Sequence, residues 1–301
     1  MAIVTPALVS ALFVGFKSEF NSIFDKTPTD WAKVATLISS STRENVYAWL
    51  GQFPQFREWV GERVLRDMKA HGYSIVNKKY ESTVGLSRTD IEDDQVGVYK
   101  PLLSEMGRAA KVFPDELVFG LLAQGHMTAC YDGQNFFDTD HPVYPNVDGT
   151  GVPQAVANFS DGTGPSWFLL DVSRALKPLI FQERTKPELT ALNDPKDEGV
   201  FMQDVYRFGI RYRCNAGFGF WQMAYCSKLP LTSENFNTAY AAMCSTKADG
   251  GRPLGIKPTL LVVPPVLRIH AHEVIQSERL ANGASNPNKD LCEVLVTPWL
   301  N

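Results

Sequence analysis

Apolar residues recur at helical spacing between residues 97 and 127. Proline lacks a backbone N–H and clashes with the preceding turn of a helix. The pattern therefore predicts one long helix that is kinked or broken at Phe113–Pro114. Its apolar positions stand three or four residues apart, which places them on one face, at Leu102, Leu103, Met106, Ala109, Ala110, Leu117, Val118, Leu121 and Leu122.

The first twenty residues hold a second apolar run. No Lys or Arg precedes it, Pro6 and Gly15 interrupt it, and Lys17 follows it, which argues against a secretory signal peptide. The run is also too short to span a membrane, given the length that a bilayer requires. We therefore predict a short amphipathic helix, or an extended arm that packs on another surface. Its apolar residues are Ala7, Leu8, Ala11, Leu12, Val14 and Phe16.

Strand patterns dominate much of the remaining chain. The stretch YSIVNKKYESTVGLSRTDI, residues 73–91, alternates in polarity and is rich in β-branched and aromatic residues. Further strands are predicted within residues 166–182, 204–226, 258–277 and 292–300. In residues 258–277 the strand stops at a Pro-Pro pair and a helix follows. Residues 232–245 predict a helix capped by Thr232 or Ser233. Regular β-α-β alternation is missing, so the predicted fold class is α+β with a mixed or antiparallel sheet.

The region from residue 46 to residue 96 has an unusual charge pattern. It is rich in aromatic and basic residues and ends in the acidic knot, residues 90–94, with the sequence DIEDD. A two-stranded ribbon is only marginally stable alone in water. We therefore expect this region to lie on another surface, with a solvated hairpin, whose charges protect an exposed edge, as the alternative.

Composition sets broad limits. The 301 residues are 44% hydrophobic and 21% charged, which is typical of a globular protein, and the net charge of -4 does not indicate a nucleic-acid binder. No Cys-x-x-Cys pair occurs, so we expect neither a zinc site nor a disulfide framework but reduced thiols in a cytoplasmic protein. The five thiols belong to Cys130, Cys214, Cys226, Cys244 and Cys292.

One loop concentrates candidate chemistry. The stretch YDGQNFFDTDHP, residues 131–142, offers Asp138, Asp140 and His141 as ligands of a metal-dependent hydrolase, with His126 or His71 as a distant partner. The same residues also explain a loop, because Asp-Gly forms tight turns and Asp side chains cap backbone amides. Nucleotide-binding and hydrolase motifs are absent from the sequence. We therefore expect no catalytic residue, no cofactor and no metal, and a loop that fixes its own turns or meets a neighbouring subunit.

Several stretches resemble one family along nearly the whole chain. They include YAWLGQFPQFREWVGER, the 73–107 segment that contains GLSRTDIEDDQVGVYKPLLSEMG, PDELVFGLL, YDGQNFFDTDHP, WFLLDVSRALKPLIFQ, GRPLGIKPTLLVVPP and EVLVTPWL. The order and number of these stretches resemble the major head (capsid) subunit of Mu-like tailed phages and prophages, the gpT-type family. That resemblance implies the Hong Kong 97-type (HK97-like) capsid fold.

The resemblance also implies a domain organisation. Residues 1–45 would form an N-terminal arm, 46–96 an extended hairpin (the E-loop), 97–228 the spine helix and peripheral domain, and 229–301 the axial domain. The segment near 165–226 looks peripheral yet precedes the axial one, so we expect a permuted connection. The alternatives are an encapsulin-like shell protein of the same fold and the metal-dependent hydrolase.

The implied function is a non-enzymatic virion protein. Copies would assemble as hexamers and pentamers into an icosahedral head in the bacterial host cytoplasm. A portal, a separate scaffold, a cement or decoration protein and weakly held double-stranded DNA would be partners, and no membrane is expected. We expect aromatic anchors to supply affinity and charges to supply orientation. The expected inter-subunit contacts are Trp49, Phe53, Phe56, Arg57, Trp59, Arg63, Arg66, Lys78, Lys79, Arg88, Asp90, Glu92, Asp93 and Asp94.

Overall fold

The computed structural model describes residues 5–51, 72–93, 95–192, 194, 197–280 and 282–300. Its α-helices are α1 (Pro6–Lys26), α2 (Trp31–Val34), α3 (Arg88–Glu92), α4 (Lys100–Ala123), α5 (Glu198–Gln203), α6 (Ser233–Cys244) and α7 (Arg268–Ala271). Its strands are β1 (Ala35–Ser39), β2 (Glu44–Val46), β3 (Ser74–Val76), β4 (Lys78–Ser87), β5 (His141–Val143), β6 (Gln154–Val156), β7 (Phe159–Ser160), β8 (Trp167–Leu170), β9 (Leu179–Leu192), β10 (Val205–Phe218), β11 (Ala224–Ser227), β12 (Leu260–Val263) and β13 (Glu293–Val296). The mixture of helices and two larger sheets confirms the α+β class.

A four-stranded sheet has the order β1-β9-β10-β4, with β1 parallel to β9 and the other pairs antiparallel. Alternate residues of β10 are buried, because one face of the sheet packs on α1 and α4. Phe208 of β10 contacts Phe16 of α1 edge to face, with ring centroids 5.3 Å apart. The opposite face of β10 carries polar residues, so this sheet has one packed face and one polar face.

A five-stranded sheet has the order β13-β12-β8-β11-β7. Every residue of β8, β11 and β12 is buried, which explains why their sequences are continuous apolar runs instead of alternating ones. Side chains of α6 and α7 join the same core, including Phe236 and Ala271. Thr232 caps α6 by accepting a hydrogen bond from the Asn235 amide, as one of the two predicted caps.

The long helix predicted at residues 97–127 is confirmed as α4, but it is not broken at Pro114. Proline removes the amide hydrogen bond at its own position and crowds the preceding turn, so its effect is local to that part of the helix. Buried residues on both sides, including Met106 and Val118, hold the helix against its neighbours. Tertiary packing therefore keeps the helix continuous across Pro114, and the alternative of a kink there stays a prediction.

Helix α1 is longer than the predicted short helix. Thr5 caps it by accepting from the Leu8 amide, and its apolar face continues beyond Phe16 to the buried Phe20. Within the described part of the chain, Ala7–Lys26 is the one helix long and apolar enough to cross a membrane, by length and composition only. The expectation that this run is too short was therefore wrong. Its buried face lies against α4 and β10.

The charged region around residues 73–91 divides into two parts. Among the described residues, strand β3 pairs with β2 alone, whereas β4 pairs with β10 along its whole length. The predicted strand ends at Ser87, whose hydroxyl accepts from the Thr89 amide and starts α3. The second strand of the expected free ribbon is therefore part of the four-stranded sheet.

Strands on either side of the predicted boundary at residue 229 belong to one sheet. Strands β8 and β11, which were expected in the peripheral domain, form one sheet with β12 and β13. The boundary at 228/229 thus cuts through the five-stranded sheet. Hydrogen bonds between strands far apart in sequence carry no local signal, so periodicity could not assign them to a common sheet. The four-part division stays a prediction.

Candidate functional site

The short β2–β3 pair forms the base of a hairpin whose connecting segment is residues 47–73. This base is anchored to the four-stranded sheet. The Tyr47 hydroxyl donates to Gln182 Oε1 at 2.7 Å, and Gln182 Nε2 donates to the Ile75 carbonyl at 3.0 Å. The Tyr73 hydroxyl accepts from the Phe218 amide at 2.8 Å. The hairpin base is therefore held in a fixed position by buried polar groups.

Burial also affects the ionisation of these anchors. It raises the pKa of Tyr47 and the pKa of Tyr73 from 10.0 to about 12, so both phenols stay protonated into alkaline solution. Close packing contributes as well. A Cβ at Gly217 would lie 2.1 Å from Cδ1 of Ile75, so only glycine lets β3 approach the sheet at this point.

Trp49 is the first predicted contact residue that the structure describes. It is half-buried, and its ring lies 5.8 Å from Phe220 and 5.9 Å from Tyr47 between centroids. Part of its surface is thus used within the chain. Seven other predicted contacts lie outside the described residues, namely Phe53, Phe56, Arg57, Trp59, Arg63, Arg66 and Asp94.

The two lysines of the predicted basic surface are exposed at the start of β4. Lys78 is paired in register with Cys214 and Lys79 with Arg213. Because β4 is the last strand of its sheet, one of its edges is free of strand partners within the described residues. Their role between subunits stays a prediction.

The acidic knot lies at the other end of β4 and is partly neutralised within the chain. Arg88 contacts Glu92 at 3.2 Å and Asp204 at 3.7 Å. Asp90 accepts from the Tyr99 hydroxyl, and this hydrogen bond raises the pKa of Tyr99. Such exposed pairs contribute about 0–1 kcal/mol each.

Asp93 is exposed, and Asp94 lies outside the described residues. The structure therefore brings Arg88 to the acidic knot in the same chain, and it does not bring Lys78 or Lys79 there.

The loop at residues 131–142 is built around a buried histidine. His141 has no solvent exposure, and Trp221 stacks on its ring with centroids 4.0 Å apart. His141 Nδ1 lies 2.7 Å from Asp132 Oδ2, and Nε2 lies 3.2 Å from Asn158 Oδ1. Sequence reasoning missed Asn158 and Trp221, because nothing in their local sequence marks them as partners of the loop.

The orientation of the Asn158 side chain determines which of its atoms faces His141 Nε2. The Asn158 amide nitrogen faces three carbonyl oxygens, those of Phe136, Trp221 and Ala224. It must donate to them, so the Asn158 oxygen faces His141 Nε2 as an acceptor. Asp132 Oδ2 lies at the other ring nitrogen, so His141 has a polar partner on each side of its ring.

Asp132 responds to the same contacts. Burial alone would raise its pKa, but hydrogen bonds from His141 and Cys130 and the charge of His141 together lower the pKa of the Asp132 carboxyl. The Cys130 thiol donates to Asp132 Oδ1 at 3.0 Å, and burial raises the pKa of that thiol far above its usual range.

The three predicted metal ligands do not converge on one point. The Asp138 and Asp140 carboxyls interact with each other, whereas His141 pairs with Asp132. Asp138 accepts from the amides of Asn135 and Thr139, at 3.2 and 2.8 Å, and Asp140 is exposed. In the described part of the chain, the ligand atoms that meet within 4.8 Å are those of Cys130, Asp132 and His141. These three already bond to one another, so the cluster needs no ion to satisfy its polar groups. The loop thus fixes its own turns, as the favoured interpretation predicts.

Comparisons with known proteins agree along the whole chain. The model of the family described as Mu-like prophage major head subunit gpT matches residues 9–300. The major capsid protein of Escherichia phage Mu is 48% identical over 304 residues, covering 99% of this chain and 100% of that protein. The Mu-like prophage FluMu major head subunit of Haemophilus influenzae is 51% identical over 295 residues, covering 96% of each.

Solved structures give the same result. A chain from the procapsid of bacteriophage JBD30 is 58% identical with a TM-score of 0.88, covering 99% of this chain and 100% of that one. A chain from the JBD30 capsid decorated with minor capsid protein trimers is 44% identical with a TM-score of 0.77, covering all of both chains. The expected HK97-like capsid fold is confirmed, and no comparison supports the hydrolase alternative. The chain belongs to the family of Mu-like prophage major head subunits, gpT.

Proposed function

We propose that this structural protein of the virion head builds a closed icosahedral shell from hexamers and pentamers of itself, and that the E-loop region, residues 46–96, forms a main contact between neighbours. One observation carries the second part. The β2–β3 base is anchored by Tyr47, Tyr73 and Gln182, while the segment that it carries is rich in aromatic and basic residues. When the base is rigid, a long segment that it carries can contact a neighbouring subunit at a smaller cost in orientational entropy.

Charged and aromatic residues have different roles in this contact, because their interaction energies differ. Exposed ion pairs contribute about 0–1 kcal/mol each, so Lys78, Lys79 and the acidic knot set orientation and register. Aromatic residues of the segment supply most of the affinity. Many weak contacts per subunit allow errors to be corrected during assembly while the finished, closed shell is resistant.

The remaining partners follow from the family. A portal at one vertex, a separate scaffold during assembly and a decoration protein are part of this proposal, and the decorated JBD30 capsid supports the last of them. Packaged double-stranded DNA would contact the shell weakly, because the chain carries a net charge of -4. We also propose that the chain has no catalytic activity and that its arm, E-loop, spine and axial parts keep the predicted order.

Isotope-mixed crosslinking tests the role of the E-loop region. Shells are assembled from equal amounts of ¹⁴N- and ¹⁵N-labelled chain, treated with a carbodiimide, which joins a lysine amine to a carboxylate with loss of water, and analysed by mass spectrometry. Mixed-isotope crosslinks are expected at Lys78 and Lys79. Lys17, which pairs with Glu188 at 2.9 Å in the same chain, is the control for same-isotope crosslinks. Assembled shells in which Lys78 and Lys79 give only same-isotope products would contradict the proposed contact.

A further inference from the structure

The polar face of the four-stranded sheet carries a group of cations that the function described so far does not use. Residues of β10 alternate between the packed face and this face, so Arg211 and Arg213 point to the same side. Lys79 of β4 stands opposite Arg213, and on β9 the partner of Arg213 is Thr185, which directly follows Arg184. The ladder is irregular at this point, where the β9–β10 register shifts.

No ion pair within the described residues neutralises these cations, although Glu81 and Glu188 stand in register beside Arg211. Among the residues that the structure describes, Arg184, Arg211 and Arg213 make no ion pair and no side-chain hydrogen bond. The Arg213 Nε is shielded from solvent and has no hydrogen-bond partner. Burial and the charges of Arg184 and Arg211 lower the pKa of Arg213, although a guanidinium stays charged at any physiological pH.

Such an arrangement costs stability in a single chain, because neighbouring like charges repel and a shielded N–H without a partner loses its hydrogen bond to water. An assembly can supply the missing acceptor. We propose that Arg184, Arg211 and Arg213 bind the carboxylates of the acidic knot of a second copy of this chain. This inference rests on the proposed assembly and adds residues and a partner to it.

The two charged groups cannot meet within one chain. Lys79, opposite Arg213, and Ser87, just before the acidic knot, are eight residues apart on β4, or about 26 Å at the rise of a strand. Asp93 is exposed and has no ion pair among the described residues. Opposite charges at the two ends of one element are complementary between copies, which is the arrangement that repeated subunit contacts require.

The same face argues for a protein partner over packaged DNA. Arg211 stands in register between Glu81 of β4 and Glu188 of β9. Carboxylates inside a phosphate-binding surface would repel the backbone of DNA. A face of mixed sign suits a partner that presents carboxylates at a few defined points.

Arg213→Gln separates the assembly role from a structural one. Removing the repelled charge leaves the urea midpoint of the unassembled chain unchanged or raises it, whereas a purely structural arginine would lower it. The critical concentration for assembly, measured by light scattering, should rise about tenfold or more. The matched control is Arg252→Gln, at an exposed position away from this face.

A charge exchange tests the named partner. Arg213→Glu and Asp93→Arg should each weaken assembly, and the double variant should recover most of it. If the wild type forms shells and both single variants assemble normally, the inference is overturned while the proposed function stands. The same holds if the double variant assembles no better than either single variant. Normal shells that hold less DNA would overturn it in favour of a phosphate site. A wild-type chain that forms no assembly would overturn the proposed function as well.

Discussion

Gly107 of α4 lies against the backbone of α1. We therefore expect Gly107→Ala to lower the free energy of unfolding, whereas Gly120→Ala in the same helix should raise it. A Cβ at Gly107 would stand 2.7 Å from the carbonyl oxygen of Phe20 and 3.4 Å from its Cα. Attractive heavy-atom contacts lie at about 3.5–4.0 Å, so α1 must move by several tenths of an ångström or more. Because the obstacle is backbone and not the end of a side chain, rotation cannot relieve it.

The magnitude follows from two opposing contributions. Overpacking costs about 1–3 kcal/mol, while replacing a helical glycine by alanine gains about 1 kcal/mol. Gly107→Ala should therefore destabilise the chain by about 1 kcal/mol. Gly120→Ala is the matched control, because no heavy atom lies within 4 Å of its added Cβ and only the gain of about 1 kcal/mol remains.

Urea unfolding of the unassembled chain at low concentration measures both variants. The midpoint should fall for Gly107→Ala and rise for Gly120→Ala, giving a difference of about 2 kcal/mol between them. The reasoning is refuted if both midpoints move in the same direction, or if Gly107→Ala is as stable as the wild type.

Four further predictions concern buried polar groups and the cysteine thiols. Asp132→Asn and His141→Gln should each cost about 3–5 kcal/mol, and the double variant should lose clearly less than their sum in a double-mutant cycle of urea unfolding. Because the pKa of Asp132 is lowered by folding, this carboxyl contributes to the free energy of unfolding above its usual pKa of 3.8, and the contribution is lost as the pH falls below that value. Asp132→Asn should therefore flatten this part of the stability–pH curve. An unchanged slope would contradict the pairing. Asp115 accepts from the amides of Asp30 and Trp31, so Asp115→Ala should cost about 1–3 kcal/mol and speed hydrogen exchange at residues 30–35, with Asp115→Asn losing less; equal exchange in all three chains would exclude this anchoring role. In the native unassembled chain, a thiol reagent should modify the exposed Cys244 and spare the buried thiols until unfolding, because burial raises the pKa of Cys214, Cys226 and Cys292 to about 12 each; rapid labelling of several thiols would contradict the burial.

Local patterns predicted the elements that depend on local signals. The spacing of Leu103, Met106 and Val118 predicted α4, and the alternation of bulk in residues 205–218 predicted β10. Pro114 was a genuine local signal, but packing on both sides overrode it. The sheet memberships of β8 and β12 could not be predicted, since they depend on hydrogen bonds between strands distant in sequence.

The candidate site shows the same limit. Asp138, Asp140 and His141 are neighbours in sequence, yet the fold pairs His141 with Asp132 and with the distant Asn158. Spacing in a loop does not define side-chain directions, because its turns are set by the contacts that the loop makes. The arginines at positions 184, 211 and 213 were missed for a related reason. They come together through strand register and its local shift, and neither can be read from composition.

Electron microscopy of the purified chain, with mass photometry on the same sample, tests the central claim most directly. The account predicts closed polyhedral shells, or rings of five and six copies, that grow in number with protein concentration. A strictly monomeric chain at every concentration and salt tested would contradict it.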